Sequence, residues 1–289
     1  MTEGYGLAAM TETPLVIIEG MRAGPATGLP TWSAQGDLRM VLHSHQGDFP
    51  RIVLAAGDAE EAFYLTMDAF NLADKYQLPV VLLVDKNICE NDQSLPVFDT
   101  SNYNLDRGKF TLGKQENYKR YKLEEDGISV RTIPGTGNFF IADSYEHTEE
   151  GFETEEIKEI NTQMKKRMTK IATCSADEKT DPKLFGPKTA DITIVSWGSN
   201  KGSILEALKK NPNVNFLHIT WMNPFPSQAV KDILSKSKHI IDIECNYSAS
   251  LAGLIREKTG IEITDFLLKY DGRPIFPEEI MEKIESIKI

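Results

Sequence analysis

The chain has 289 residues, of which 40% are hydrophobic and 26% are charged, a composition typical of a globular protein with room for two domains. Its formal net charge of −11 at pH 7 argues against nucleic acid as a partner, because phosphate binding requires a basic surface. No apolar run approaches the roughly 20 residues that span a bilayer, and no signal peptide is visible, so we expect a cytoplasmic protein without a membrane partner.

The first predicted strand is the apolar run Leu15–Ile18, which leads into Glu19–Leu38, a segment rich in glycine and proline. In an open α/β sheet, ligands bind beyond the carboxyl ends of the strands. This segment is therefore the first candidate site. The next elements alternate and are predicted as a helix at Ala34–Leu42, a strand at Arg51–Ala55, a helix from the N-cap Asp58 to Gln77 and a strand at Leu78–Val84.

The strand–helix alternation weakens between residues 91 and 186. There we expect a hairpin between Gly113 and Phe140, followed by a charged helix at Glu155–Ile171 that faces either solvent or another subunit. Alternation then returns, with strands predicted at 191–197, 214–219, 239–243 and 261–269 and helices at 198–210, 226–237, 248–259 and 277–287. The predicted fold class is α/β, with two doubly wound, mostly parallel-sheet domains (1–90 and 187–289) joined by an irregular linker region (91–186).

The residues of Glu19–Leu38 have the chemistry of an anion pocket. Arg22 can grip a carboxylate or phosphate through two parallel hydrogen bonds. Thr27 and Thr31 offer hydroxyl groups, while glycine permits a close backbone approach and proline stiffens the segment. An ordinary surface loop with a solvated arginine explains the same composition, and chemistry alone does not choose between these readings.

Other candidate sites are weaker. His43 and His45 could begin a metal site, but no carboxylate–histidine cluster accompanies them, so no metal site is predicted. The three cysteines form no CxxC pair, so an iron–sulfur cluster on this chain is not expected. The turn from Gly198 to Gly202 could hold an anion at a helix N-terminus, although a plain helix start is the expected reading.

The segment EGMRAGPATGLPTWSAQGDL resembles the RGGPSTGLPTxxEQGDL segment of the alpha subunits of 2-oxoacid:ferredoxin oxidoreductases. The resemblance continues in order along nearly the whole chain, which makes it specific. The matching segments are TETPLVI, DFPRIVLA, EEAFY, YKRY, DGIS, IPGT, EH, WGS, PFP and KYDGRP.

The resemblance implies domains of the thiamine-enzyme, transketolase-like type. Residues 1–90 would be the C-terminal part of a thiamine pyrimidine-binding domain, and 187–289 would be a transketolase C-terminal-like domain. The family's upstream YPITP-type motif, and a glutamate that contacts the aminopyrimidine, are not found in this chain. We expect that part on a separate polypeptide, or a lost or misassigned start.

For function, the resemblance implies oxidative decarboxylation of a 2-oxoacid to acyl-CoA, with electrons passed to ferredoxin, by a chain that is active only with a beta subunit. Arg22 and Thr31 would bind the substrate's carboxylate and oxo group. No catalytic residue is assigned on this chain. The departures from the family pattern include Trp32, which could restrict the pocket. The residues expected to support the loop are Gly24, Pro25, Thr27, Gly28, Gln35 and Asp37.

The implied cofactors lie mostly outside this chain. The beta subunit would hold most of the thiamine diphosphate and Mg²⁺ site as well as a [4Fe–4S] cluster, and coenzyme A would be a co-substrate. A gamma-type domain or an upstream half-domain polypeptide is a further candidate partner. KYDGRP and the KRY…DGIS…IPG run favour a 2-oxoglutarate-type or broad-range substrate. The alternative function is a non-catalytic assembly or regulatory subunit of such a complex.

Overall fold

The computed structural model describes residues 1–287, whose strands form two five-stranded sheets. The N-terminal unit consists of the first sheet and four helices. Its elements are α1 (Thr2–Met10), β1 (Leu15–Ala23), β2 (Leu29–Ser33), α2 (Leu38–His43), β3 (Ile52–Ala55), α3 (Ala59–Tyr76), β4 (Pro79–Asp85) and α4 (Lys86–Glu90). None of the helices described in residues 1–287 has both the length and the apolar character that a bilayer-spanning segment requires.

The C-terminal unit contains the second sheet and begins with a long helix. Its elements are α5 (Ile157–Asp177), β5 (Lys183–Phe185), β6 (Ile192–Ser196), α6 (Asn200–Lys210), β7 (Val214–His218), β8 (Trp221–Asn223), α7 (Ser227–Leu234), β9 (His239–Glu244), α8 (Ser250–Thr259), β10 (Asp265–Leu268) and α9 (Pro277–Ile287). The strand order is β10-β9-β6-β7-β5, and only the edge strand β5 is antiparallel to its neighbour.

The first sheet has the order β2-β1-β4-β3-β8. Strands β1, β4 and β3 run parallel, and every residue of β3 and β4 is buried. Strands that are covered on both faces consist of continuous apolar runs in the sequence, and this pattern made β3 and β4 predictable. The predicted fold class of two mostly parallel sheets is confirmed.

Strand β8 was not predicted, and it links the two units. It lies in the chain between β7 and α7 of the C-terminal unit, yet it pairs antiparallel with β3. Trp221 lies opposite Leu54, and Asn223 opposite Val53. The Asn223 side chain also donates to the carbonyl of Arg51 at 2.6 Å. The first sheet is therefore completed by a strand from the later half of the chain.

The predicted hairpin between Gly113 and Phe140 is wrong. That stretch contains turns, and its one bridge is parallel and joins Arg131 to Phe110, which precedes the stretch. Its one alternating segment, Ile128–Thr132, forms no antiparallel pair within the stretch, so no hairpin buries a face there. The preceding part of the linker is held by aromatic contacts instead: the Phe98 ring stacks on Phe63 at 4.1 Å.

Helix α5 buries a basic face. Lys166 Nζ donates to both carboxylate oxygens of Glu12, at 2.7 and 2.9 Å, and Lys170 Nζ lies 2.5 Å from Glu12 Oε2. Arg120 donates to the carbonyl of Glu12 at 2.6 Å. All four side chains are buried. These three basic side chains are therefore buried within the chain, because Glu12, in the turn after α1, provides a counter-charge. Lys158 and Lys165, on another side of α5, are exposed, so a solvent or subunit role for that side stays a prediction.

The ends of two helices follow the sequence prediction. Asp58 caps α3 by accepting a hydrogen bond from the Glu61 backbone at 2.8 Å. Gly260 ends α8 with a φ of 77°, in the left-handed region that disfavours any residue with a Cβ atom.

Replacing Gly260 with alanine is expected to lower the free energy of unfolding by about 1 kcal/mol, because alanine is strained at this φ. Gly202 is the matched control. It lies inside α6 with no atom within 4 Å of an added Cβ, so Gly202→Ala is expected to raise stability by about 0.5–1 kcal/mol. Urea unfolding measures both. Equal effects for the two substitutions would contradict the cap assignment.

Candidate active-site hairpin

The predicted loop is largely a β-hairpin. Strand β1 continues beyond the predicted Ile18 to Ala23, because it pairs with β4 as far as Asp85. After a turn at residues 24–28, β2 returns antiparallel. Gly28 has a φ of 46°, and a Cβ atom there would lie 2.9 Å from the Cα of Gly24. The turn is therefore closed tightly enough to require glycine at this position.

Arg22 lies near the end of β1 and braces the turn. Its Nη1 donates to the carbonyls of Ala23 (3.2 Å) and Thr27 (2.5 Å), and its Nη2 donates to that of Ala26 (3.1 Å). Within residues 1–287, Nε–H and the second N–H of Nη2 have no acceptor, and no carboxylate forms an ion pair with the guanidinium. Nε and Nη2 share one edge of the planar group, and this edge can bind both oxygens of a carboxylate.

Thr31 and Trp32 lie in the irregular part of β2. The register pairs Arg22 with Ser33 and Ala23 with Leu29, so residues 30–32 have no paired position and Thr31 lies two residues before the partner of Arg22. Thr31 is exposed, and its hydroxyl makes no hydrogen bond to any residue from 1 to 287. Trp32 lies against the turn at Gly272, where the Arg273 guanidinium lies over its ring, and its expected restriction of the pocket stays a prediction.

Two carboxylates lie near the arginine. Burial raises the pKa of Asp37, while the positive charge of Arg22 opposes that rise. Burial and the nearby charge of Asp37 raise the pKa of Glu19. Asp37 directly precedes α2, although its side chain forms no capping hydrogen bond. The half-buried cation of Arg22 is thus attracted to Asp37 without being paired to it, which leaves its free edge open.

The expected supporting residues fall into two groups. Gly24, Pro25, Thr27 and Gly28 form the turn, where Thr27 contributes its carbonyl to Arg22. Gln35 instead points away from the hairpin and binds the C-terminal unit through Trp197. Helix α2 begins at Leu38 rather than at the predicted Ala34, because the backbone of Gln35 bonds across to the second sheet.

The turn at Gly198 is occupied by protein groups. The backbone N–H of Ser199 donates to Asp85 at 2.8 Å, and the Asn200 side chain donates to Gln35 at 2.9 Å. The sequence pattern indicated this turn as a helix start but gave no sign of its contact with Gln35, 165 positions away. Within residues 1–287, no group of three His, Cys, Asp or Glu side chains is arranged to hold a metal ion.

Two family models match the chain. Residues 1–166 match the thiamine-diphosphate-binding domain of pyruvate flavodoxin/ferredoxin oxidoreductases. Residues 190–280 match core domain II of pyruvate:ferredoxin oxidoreductase. Together these regions include the hairpin, the first sheet and the second sheet except its edge strand β5.

Relatives support the same assignment. The 2-oxoacid:ferredoxin oxidoreductase subunit alpha of Saccharolobus solfataricus is 36% identical over 99% of this chain and 47% of its own length. The 2-oxoglutarate synthase subunit KorA of Methanothermobacter marburgensis is 28% identical over 100% of this chain and 77% of its own length. The chain spans about half the length of the first of these relatives.

One solved structure has nearly the same fold. It is the 2-oxoglutarate:ferredoxin oxidoreductase of Magnetococcus marinus, solved with 2-oxoglutarate, coenzyme A and succinyl-CoA bound. Its TM-score is 0.92 at 32% identity, and the match covers 99% of this chain and 50% of that one. With a family model matching more than half of its residues, this chain belongs to the pyruvate flavodoxin/ferredoxin oxidoreductase family.

Proposed function

We propose that this chain is the alpha-type subunit of a 2-oxoacid:ferredoxin oxidoreductase that is active only together with a beta subunit. The complex cleaves the bond between the carboxylate and the keto carbon of a 2-oxoacid and releases CO₂. The acyl group is joined to the sulfur of coenzyme A, and the electrons of this oxidation pass to ferredoxin. The cytoplasmic location stays a prediction.

The open edge of Arg22 carries this proposal. Three backbone carbonyls orient the guanidinium, yet Nε–H and one N–H of Nη2 remain without a partner in residues 1–287. A substrate carboxylate would complete this hydrogen-bonding set and also neutralise the charge. Because the turn already holds the guanidinium in place, little conformational freedom would be lost on binding.

Thr31 provides the second expected contact. Its hydroxyl is unpaired in the described chain, and Thr31 lies two residues before Ser33, which pairs with Arg22. With the carboxylate on Arg22, a hydrogen bond from Thr31 to the keto oxygen would fix the orientation of the keto carbon. In other systems, such enforced positioning lowers the reaction barrier by several kcal/mol.

The residues present fit one wall of a thiamine diphosphate site. When bound, the cofactor supplies the electron sink that makes decarboxylation of a 2-oxoacid possible. Residues 1–287 offer an oriented arginine and a free hydroxyl for the substrate, but no acidic cluster for a divalent cation. We therefore assign Mg²⁺, most contacts to the cofactor and the [4Fe–4S] cluster to the beta subunit. A gamma-type domain or an upstream half-domain polypeptide is a further partner in this proposal.

A 2-oxoglutarate-type substrate is favoured. One relative bears the name 2-oxoglutarate synthase, and the solved structure contains 2-oxoglutarate. Pyruvate remains a test substrate because the sequence resembles a branch with broad specificity as well.

The decisive assay is coenzyme-A-dependent reduction of a viologen dye by this chain co-expressed with its beta partner. We expect reduction with 2-oxoglutarate, and a smaller rate with pyruvate, both abolished when coenzyme A is omitted. A complex that assembles with bound cofactor but reduces no dye with either acid, even after an upstream half-domain polypeptide is supplied, would contradict the proposal. That result would favour a non-catalytic assembly or regulatory subunit.

A further inference from the structure

Gln35 is a buried side chain of the N-terminal unit whose hydrogen bonds all reach the C-terminal unit. Its Nε2 donates to the carbonyl of Trp197 at 2.8 Å. Its Oε1 accepts from Asn200 Nδ2 at 2.9 Å and from the Cys245 backbone at 2.7 Å. Its backbone N–H donates to the carbonyl of Cys245 at 2.8 Å, and its carbonyl accepts from Asn246 at 3.0 Å. We call these contacts the Gln35 latch.

The latch engages the carboxyl ends of two neighbouring parallel strands. Trp197 directly follows β6, and Cys245 directly follows β9. Gly198 lies between Trp197 and α6 with a φ of 65°, and a Cβ atom there would collide with the Gln35 amide. The second sheet thus leaves a space that the side chain of Gln35 fills. The donors and acceptors that line this space match the hydrogen-bonding groups of the Gln35 amide.

The latch also governs the position of β2. Only Ala34 separates Gln35 from Ser33, which pairs with Arg22. The backbone N–H of Ser33 itself donates to the carbonyl of Gly272 in the C-terminal unit at 3.1 Å. By contrast, β2 pairs with β1 at only two positions, Arg22–Ser33 and Ala23–Leu29, with an irregular register between them. The C-terminal unit therefore contacts the Ser33 end of β2 directly and, through Gln35, the chain that follows it.

We propose that Gln35 and Asn200 are positioning residues, through which the C-terminal unit sets the alignment of Thr31 with Arg22. This inference rests on the proposed function, in which these two residues bind the 2-oxoacid. An amide in this role has a physical advantage, because it both donates and accepts without burying a charge. Loss of the latch would release β2 while leaving Arg22 braced by the turn.

Kinetics of the complex test the proposal. We expect Gln35→Ala and Asn200→Ala each to raise KM for the 2-oxoacid about 10-fold or more, because a small misplacement of a binding group is costly. KM for coenzyme A should stay within about 2-fold. Because Gln35 and Asn200 act through the hydrogen bond that they share, the double variant should raise KM for the 2-oxoacid by no more than about the larger of the two single increases.

Two controls separate positioning from general destabilisation. Lys201→Gln removes a different contact between the units, an ion pair with Asp58 and Glu61. Gln228→Ala removes an exposed amide on α7. Lys201→Gln should lower the unfolding temperature, and both controls should leave KM for the 2-oxoacid unchanged. Equal KM changes for both substrates in the latch variants, or the same change in Lys201→Gln, would overturn the proposal.

Hydrogen–deuterium exchange on the same preparations provides a readout that is independent of activity. Peptides covering residues 22–33 should exchange faster in Gln35→Ala and Asn200→Ala than in the unmodified complex, but not faster in Lys201→Gln. Unchanged exchange in the latch variants would reject the latch even if the enzyme is active. If the unmodified complex reduces no dye, the proposed function fails, while exchange still decides whether the latch holds β2. If Gln35→Ala does not fold, Gln35→Met retains most of the side-chain volume and buries no charge, while it removes the donor to Trp197 and both acceptor contacts.

Discussion

Substitution of Arg22 by alanine in the assembled complex is expected to lower kcat/KM for the 2-oxoacid by about 100-fold or more. The reason is the loss of two charge-assisted hydrogen bonds, each worth roughly 1.5–3 kcal/mol, to the substrate carboxylate. Because that carboxylate is bound before the reaction begins, most of the loss should be in KM. Steady-state viologen reduction at varied 2-oxoacid concentration, with coenzyme A in excess, measures the effect.

Arg22→Lys separates charge from geometry. Lysine keeps a cation but lacks the planar edge that binds two oxygens at once, so we expect only partial recovery over alanine. Arg256→Ala is the matched surface control: among residues 1–287, the side chain of this exposed arginine of α8 pairs with exposed Glu262 alone, and its loss should not alter KM.

Arg22 also braces the turn, so the state of the hairpin must be measured separately. Hydrogen exchange of residues 22–33 in Arg22→Ala shows whether the hairpin persists. Unchanged kinetics would refute the anchor. An equal loss in the lysine and alanine variants, together with a disordered hairpin, would assign Arg22 to bracing alone.

Elements with local signals were predicted well. Helix α3 and strand β4 differ from their predicted bounds by a residue at either end, because apolar spacing and the Asp58 cap are properties of neighbouring residues. The extension of β1 to Ala23 was missed because Glu19–Ala23 has no strand-like pattern of its own. Those residues are held in the strand by distant partners on β4, such as Val84 opposite Gly20.

The candidate site likewise has residues that local sequence could identify and contacts that it could not. Arg22 and Thr31 were located by a motif that is continuous in sequence, and their free donor groups fit the role it implies. The partners of Gln35 could not be read from sequence, since Asn200 is 165 positions away at what looks like an ordinary helix start. Only the packing of the second sheet against the hairpin brings the two amides together.

Among single charged side chains, removing the charge of Glu12 is expected to lower the free energy of unfolding the most. Its carboxylate is the counter-charge for Lys166 and Lys170, with Arg120 close by, so these buried groups carry more positive than negative charge. Glu12→Gln leaves buried cations without a counter-charge, a change that typically costs about 3–5 kcal/mol. Lys170→Met removes one of the excess cations and its bond to the Gln77 carbonyl, so it should cost only about 1 kcal/mol.

The excess of buried positive charge should also make the free energy of unfolding depend on pH. Burial, reinforced by Lys166 and Arg120 and opposed by Glu12, lowers the pKa of Lys170 to about 7. An unfolded lysine keeps its proton to about pH 10, so between pH 7 and 10 the unfolded chain binds more protons. Stability from this group therefore rises with pH across that window. Lys170→Met should remove this rise.

Glu12 contributes at the acid end. Burial acts to raise its pKa, but the charges of Lys170, Lys166 and Arg120 outweigh burial and hold the pKa well below the usual range. Its contribution is present above the unfolded pKa of about 4.5 and is lost as the pH falls below that value. In Glu12→Gln, the pKa of Lys170 should fall further, because its counter-charge is gone. The deficit relative to wild type should therefore be larger at pH 6 than at pH 9.

Urea unfolding of the wild type, Glu12→Gln and Lys170→Met at pH 6, 7.5 and 9 tests these expectations. Equal costs for the two substitutions would mean that the excess of positive charge does not govern this cluster. A deficit of Glu12→Gln that stays constant from pH 6 to 9 would show that Lys170 does not titrate in response to Glu12. Because Glu12 follows α1 and the lysines lie on α5, a large loss would also show that this ion cluster fastens the linker helix to the first sheet.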